Sequence, residues 1–496
     1  MAKVIMIQGT MSNAGKSLIT AGLCRVFYED GYRVAPFKSQ NMALNSYITE
    51  NGLEMGRAQA VQAQACKIKP SVYMNPILLK PTTDRGSQVI VNGKAIGTMP
   101  AKEYFAYKKK LIPDIMDAFD RLSRENDIIV VEGAGSPAEI NLKTDDIVNM
   151  GLAKMLDAPV LLVGDIDCGG VFAQLYGTLS LLEEEERARV KGLIINKFRG
   201  DRSILEPGIR MLEEKCNKKV FGVIPYSTVD IEDEDSLSSR FLSKGNGALN
   251  IYVIRLPKIS NFTDFGPLEI LDEVNLRYIT NPKELIEPDM IILPGTKNTM
   301  ADLCWLKESG FSASIEGYAK KGCPVMGICG GYQMLGKKVT DENGAEGFGS
   351  VEGLGLLDVE TYFGETKHTI RSQGKLAKIS LFNKGSKINH LGDMTLKGYE
   401  IHMGNTSYGE RAKCFLVKEN GEWDGCVNEN VFGTYFHGIF ENDDFCNLII
   451  SLLCEKKGVA LSEKVVDYAS YKEEQFALLG DVIRKNLNME AIYDIL

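Results

Sequence analysis

Two short strings in this 496-residue chain carry side chains able to make and break covalent bonds. The first is Gly9-Thr10-Met11-Ser12-Asn13-Ala14-Gly15-Lys16-Ser17. A glycine turn ending in Gly-Lys-Ser directs backbone N–H groups at a polyphosphate beside a helix N-terminus, where peptide dipoles also favour negative charge. Lys16 would reach the terminal phosphates, and the Ser17 hydroxyl would ligate Mg²⁺. The usual spacing G-x-x-x-x-G-K-[ST] is altered: Thr10 stands at the first glycine position and Gly9 one residue earlier, so the loop is one residue longer.

The second string is Gly327-Ile328-Cys329-Gly330-Gly331, a cysteine version of the G-x-S-x-G nucleophile elbow. Its glycines permit the strained strand-to-helix turn that lifts a nucleophile out of a sheet, and the Gly330 N–H is placed to stabilise an oxyanion. A free thiol is only slightly ionised near neutral pH and needs a base. His437, which follows the apolar run 432–436, is placed to serve, and the Gly295-Thr296 turn offers further oxyanion donors.

Strands must position these groups. Val4-Ile5-Met6-Ile7 precedes the first loop, and Ile19, Leu23, Val26 and Phe27 follow it at helical spacing. Residues 127–131 form a continuous apolar run of the kind a doubly covered parallel strand shows. That run ends in Glu132-Gly133-Ala134-Gly135, which puts Glu132 where a Walker-B carboxylate makes a second Mg²⁺ contact. Strand-like runs at 159–163, 192–195 and 220–224 follow at helix-sized separations, and two of their ends carry Asp165, Asp167 and Asn196. This alternation predicts a doubly wound α/β domain with a parallel sheet and ligands at the strand C-termini.

Residues 32–37 read as a second strand leading into the polar stretch 38–46, which is either a substrate or phosphate loop or a solvated turn. Residues 52–80 read as mostly helical, with a short extended piece at 77–80, and 87–93 as a strand ending in an Asn-Gly turn. The acidic run Glu183 to Glu186 reads as a solvated helix face.

Near residue 226 the character changes, and the sequence divides into a domain at 1–226, a linker at 227–249 and a second domain at 250–496. Apolar runs at 251–254, 289–293, 324–328 and 432–436 give the second domain its own α/β set. The tail 443–496 reads as helical and packed on that domain's outside.

Apolar residues make up 44% of the chain, enough for two cores, and the net charge of −9 argues against a general nucleic-acid partner. No signal peptide or run of about 18 apolar residues is evident, so a cytoplasmic protein acting on small molecules, without a membrane partner, is expected. Eleven cysteines without a C-x-x-C pair do not form a disulfide framework. Histidines 368, 390, 402 and 437 show no zinc-ligand spacing with them.

Longer strings add a resemblance. Pro36 to Met42, Glu54-Met55-Gly56-Arg57-Ala58-Gln59, Met74-Asn75-Pro76, Ser87-Gln88-Val89-Ile90, Glu132 to Asn141, Asp165-Ile166-Asp167, Ile195 to Asp201, Gly398 to His402 and Tyr435 to Gly438 join the first loop. Together they resemble the cobyric acid synthases, glutamine-hydrolysing enzymes of corrinoid (vitamin B12) biosynthesis. The lengthened loop is similar to that of dethiobiotin synthetase.

The resemblance implies a P-loop synthetase domain followed by a flavodoxin-like class I glutamine amidotransferase domain. It implies amidation of the b, d, e and g carboxylates of adenosylcobyrinic acid a,c-diamide, with one ATP and one glutamine per cycle. ATP would lie on Gly9, Thr10, Asn13, Ala14, Gly15, Lys16 and Ser17, with Lys38 neutralising phosphate charge. Mg²⁺ would sit on Ser17 and Glu132, with Asp165, Asp167 and Asn196 as further candidates for metal and nucleotide base. Cys329 and His437 would release ammonia.

The chain departs from the family pattern in two places. Ile439 stands where class I enzymes carry the Glu of H-x-E, leaving a Cys-His dyad, and Glu441 lies two residues too far on. Cys168 stands where D-I-D-R-G-G has Arg. His402 has no assigned role, a homo-oligomer stays open, and no D-x-H-x-x-G signature suggests a protein ligand to cobalt. The competing expectations are the a,c-diamide synthase of the same pathway and a partitioning or septum-site ATPase. The latter leaves Cys329 and His437 unexplained.

Overall fold

The alternation of buried strands and amphipathic helices produces two large sheets in the computed structural model, which describes residues 2–83, 86–227, 229–232, 247–347, 349–377, 394–460 and 467–496. The chain divides into two compact units. The first holds Met1–Ala43, Glu54–Glu232 and Ala469–Leu496, and the second Leu44–Leu53 and Asp233–Tyr468.

In the first unit a six-stranded sheet places Lys3–Gly9 between Ile128–Glu132 and Val160–Asp165. Val34–Phe37 lies beyond Ile128–Glu132, while Val190–Phe198 and Lys219–Pro225 extend the other side. Every pairing is parallel. The phosphate loop therefore leaves the central strand with the candidate carboxylates on the flanking strand ends. Helix Lys16–Glu29 follows, starting from Gly15 at φ +97°.

The stretch 52–80 is less helical than its Ala/Gln content predicts. Only Arg57–Ala65 is an α-helix, with strands Glu54–Gly56 and Ile77–Thr83 on either side. Ile77–Thr83, Gly86–Val91 and Lys94–Pro100 form antiparallel hairpins in a small second sheet, the second turn falling on Asn92-Gly93 as expected. Glu184–Arg189 is an exposed helix with a Glu183–Glu186 capping box.

The tail corrects the sequence-based division. Ala469–Leu496 belongs to the first unit. Leu479, Ile483, Leu487 and Ile492 join the core cluster built on Ile5, Ile19, Leu23 and Phe27. The contact is close: a Cβ added at Gly22 would stand 2.4 Å from Ile483 Cγ1. An amphipathic helix announces that one face is buried, but its sequence does not say against which sheet. At the expected linker, residues 233–246 lie outside the described residues, as does His390. Residues 229–232 are held in the first unit, with Asp230 taking the Tyr471 hydroxyl at 3.0 Å and Glu232 pairing with Arg57 Nε at 2.6 Å.

The second unit is built on five neighbouring parallel strands: Val274–Ile279, Leu249–Ile254, Met290–Leu293, Val325–Ile328 and Val431–Thr434. The sheet then turns mixed and continues through Trp423–Asn428, Lys413–Lys418, Val359–Leu376 and Thr395–Tyr408. Sequence reading had not anticipated these antiparallel strands. They are half-exposed and polar, so they lack the continuous apolar runs that mark doubly covered strands. Among the described residues, no helix is long and apolar enough to cross a membrane.

Candidate active sites

In the second unit, parallel register brings the reactive groups together. Leu293 pairs with Gly327 and Ile328 with Thr434, so the segments leaving these three strands emerge side by side. They carry the Gly295-Thr296 turn, Cys329 and His437. The Cys329 N–H donates to Thr434 O at 2.9 Å, and its backbone sits at φ +52°, ψ −109°, the strained turn expected of an elbow. Gly330 is tight against the Gly295-Thr296 turn: an added Cβ would stand 2.7 Å from Thr296 Cγ2 and 3.3 Å from Thr296 N. A Cβ at Gly295 would stand 2.8 Å from His437 Cε1. Both glycines are required by close approach, Gly330 to Thr296 and Gly295 to His437.

A third group that sequence reading missed completes this arrangement. Asp264, on the short turn of 3-10 helix Phe262–Phe265, accepts from His437 Nδ1 at 2.7 Å through Oδ2 and from Gly438 N–H at 2.9 Å through Oδ1. His437 and Asp264 are both buried. Burial opposes charge on the imidazole, yet the Asp264 carboxylate, assisted by the Cys329 sulfur, raises its pKa to about 10. The carboxylate thus favours the protonated ring. The three side chains are laid out in the order Cys329, His437, Asp264, with Asp264 on the imidazole where Ile439 offers no carboxylate.

Asp264→Asn is expected to lower the glutamine-dependent rate roughly 10²- to 10³-fold, since an amide neither stabilises the imidazolium nor enforces the tautomer. Steady-state assays with glutamine and with ammonia check this, because the ammonia-dependent rate should hold.

His402 lies on the neighbouring strand. Its ring stacks on Tyr435 with centroids 3.8 Å apart, and its nitrogens meet Gly404 O at 2.8 Å and Glu400 Oε2 at 3.3 Å. Burial pushes its pKa down, while Glu400 acts in the opposite direction.

In the first unit, Lys16 Nζ donates to Met11 O at 2.9 Å and Gly135 O at 3.0 Å, so the lysine lies along the loop it terminates. Ser17 Oγ donates to Glu132 Oε1 at 2.9 Å, and Lys38 Nζ reaches the same oxygen at 2.9 Å. Gln62, which sequence reading passed over, donates to Glu132 Oε2 at 2.5 Å from helix Arg57–Ala65. The E-M-G-R-A-Q string just before it was the available signal. Asn196 Nδ2 donates to Ala14 O at 2.9 Å, and a Cβ at Gly15 would fall 2.0 Å from it, so this side chain braces the loop backbone. Thr10 bonds to Gln174 Oε1 at 3.1 Å, and Lys197 Nζ to Asn13 O at 2.7 Å.

The four metal candidates divide into two pairs. Ser17 and Glu132 share a hydrogen bond, whereas Asp165 accepts from Lys197 at 2.7 Å and Asp167 from Arg199 at 2.9 Å. Although burial opposes its ionisation, Lys197 holds Asp165 below the usual carboxylate range. Cys168 is exposed, 3.6 Å from Asp165 Oδ2. Hard oxygens at Ser17 and Glu132 suit Mg²⁺, and the buried oxygens Gln8 Oε1 and Gln62 Oε1 have no hydrogen-bond partner among the described residues. Among those residues, no group of three or more His, Cys, Asp or Glu could hold a metal by itself.

Comparison with known proteins matches both units. Residues 5–237 match the CobQ/CobB/MinD/ParA nucleotide binding domain, and residues 250–445 the CobB/CobQ-like glutamine amidotransferase domain. The whole chain is 56% identical to the cobyric acid synthase of Lachnoclostridium phytofermentans, covering 99% of that protein. It is 55% identical to that of Ruminiclostridium cellulolyticum and 50% identical to one from Listeria monocytogenes, in each case over all of this chain and 97% of the relative. With a nucleotide-binding unit, an amidotransferase unit and end-to-end similarity at this level, the chain belongs to the cobyric acid synthase family.

Proposed function

We propose that the chain amidates the b, d, e and g carboxylates of adenosylcobyrinic acid a,c-diamide, using ATP and glutamine in the cytoplasm. The observation that carries this reading is the pairing of a buried Cys-His-Asp triad with a Lys-Ser-Glu phosphate site in one chain that aligns end to end with cobyric acid synthases.

In the amidotransferase unit, the Cys329 sulfur attacks the glutamine carboxamide carbon, and N–H groups at Gly295–Thr296 and Gly330 hold the developing oxyanion. His437, steadied by Asp264, gives its proton to the departing ammonia. Water then cleaves the thioester, yielding glutamate and freeing the sulfur, while His437 takes a proton from the water and is left protonated as at the start.

In the synthetase unit, a substrate carboxylate oxygen attacks the γ-phosphorus of ATP on the loop Gly9–Ser17, and ADP leaves. Lys16 and Lys38 offset the phosphate charge. Mg²⁺, when bound by Ser17 and Glu132, neutralises further charge on the transferring group. Ammonia then displaces phosphate from the acyl phosphate. Activation is needed because a carboxylate oxygen is a poor leaving group.

Four carboxylates on one macrocycle cannot share a single pose, so partly amidated corrinoids are expected to leave and rebind. Incubation with ATP, glutamine and either cobyrinic acid or its a,c-diamide, followed by mass spectrometry, tests the reading. Stepwise conversion of the a,c-diamide through released intermediates supports it. Conversion of cobyrinic acid at only two positions, with the a,c-diamide untouched, would assign the earlier step instead.

A further inference from the structure

The polar run 38–46 is divided between the two units. The chain leaves the first unit after Ala43, and Leu44–Leu53 belongs to the second. There the Asn45 side-chain oxygen accepts the Asn261 N–H at 2.8 Å. Asn261 begins the turn that carries Asp264, and its backbone sits at φ +54°, the left-handed region that asparagine tolerates better than most residues. Its carbonyl accepts the Asp264 N–H at 3.0 Å, and its Nδ2 donates to the Tyr399 hydroxyl at 2.8 Å.

Tyr399 is the opposite wall of the imidazole. Its ring stacks on His437 with centroids 5.2 Å apart and planes inclined by 21°. The two residues also exchange backbone hydrogen bonds, His437 N to Tyr399 O at 2.9 Å and Tyr399 N to His437 O at 3.2 Å. Asn45, Asn261, Asp264, Tyr399 and His437 are all buried. One asparagine thus ties the carboxylate that orients the imidazole to the ring that packs against it, and a second asparagine, more than two hundred positions earlier, pins the first.

We propose that Asn45 and Asn261 are positioning residues of the glutaminase, holding Asp264 and Tyr399 in register on His437. The inference rests on the reading of Cys329, His437 and Asp264 as the ammonia-releasing site. It gives part of the polar stretch after the second strand a role in glutamine hydrolysis. Neither asparagine acts on the reacting atoms directly. Their effect runs through the angle and distance of the imidazole, where displacements near 1 Å cost on the order of 10²-fold in rate.

The full-length protein tests this with Asn45→Ala, Asn45→Asp and Tyr399→Phe, each assayed with glutamine and with ammonia as nitrogen source. Asn45→Ala is expected to lower kcat for glutamine roughly 10- to 100-fold, with KM and the ammonia-dependent rate within about twofold of the parent. Asn45→Asp keeps an accepting oxygen and should recover most of the loss. Glutamine kcat in Asn45→Ala within twofold of the parent overturns the proposal, as does an equal fall in both nitrogen sources. If Asn45→Ala does not fold, Tyr399→Phe removes a single oxygen from the same network. A severalfold drop in glutamine kcat at constant KM supports the proposal, and an unchanged kcat overturns it. A parent protein that hydrolyses no glutamine would instead remove the glutaminase reading itself.

Discussion

Cys329→Ala is expected to abolish glutamine-dependent amidation, a fall of roughly 10⁵-fold or to background, and to leave ammonia-dependent amidation within about twofold of the parent. The argument is chemical. Carboxamide cleavage in this site needs an attacking atom at the elbow, and the alanine methyl has no lone pair. His437 and the oxyanion recess would survive, so residual hydrolysis would reflect only their modest effect on water. Structural damage should be small, because Cys329 is a small buried side chain whose sulfur lies 3.7 Å from Ile401 O and beside the His437 ring. Its positive φ suits alanine no better than cysteine, so the elbow strain is unchanged. Ammonia should be supplied at mildly alkaline pH, where more of it is unprotonated and nucleophilic. If the folded variant also lost the ammonia-dependent reaction, the assignment of ammonia release to this site alone would be wrong.

The two reactive strings were legible because each is a local device: a glycine turn between a strand and a helix, with the reactive residue at a fixed offset. His437 was legible because it ends a buried apolar strand. Its partner was not. Asp264 lies 173 positions earlier on a 3-10 turn with no periodicity, and only the tertiary fold brings its carboxylate to Nδ1. The familiar place to look, two residues after the histidine, holds Ile439, which is buried.

The same contrast runs through the fold. Doubly covered parallel strands such as Ile128–Glu132 and Val325–Ile328 announce themselves as unbroken apolar runs. The long pair Val359–Leu376 and Thr395–Tyr408 mixes exposed and buried positions and carries no such mark. Helix Tyr468–Asn486 was readable as a helix, but its contribution to the first unit depends on close packing at Gly22 and Gly480. That is a matter of shape at two separated glycines, and neither pattern nor propensity encodes it.

Lys16→Ala is expected to lower amidation by about 10³-fold or more with either nitrogen source, while glutamine hydrolysis at Cys329 persists. The lysine is the one cation carried by the phosphate loop itself, and its ammonium already bridges that loop, at the Met11 carbonyl, to the turn after Ile128–Glu132, at the Gly135 carbonyl. In transfer of the γ-phosphoryl group the developing charge falls on phosphate oxygens. A preorganised ammonium there stabilises the transition state without reorganisation at the moment of reaction. Alanine removes that charge and leaves two carbonyls without their donor, at a cost of about 1–3 kcal/mol in stability if they stay dry. Lys16→Met keeps most of the stem that packs against Gly9 and separates these effects. If charge is what matters, Met and Ala should be equally inactive, with Met the more stable by thermal denaturation. Recovery of amidation in Lys16→Met would show instead that the stem holds the loop in shape and that another cation, Lys38 foremost, carries the electrostatic role.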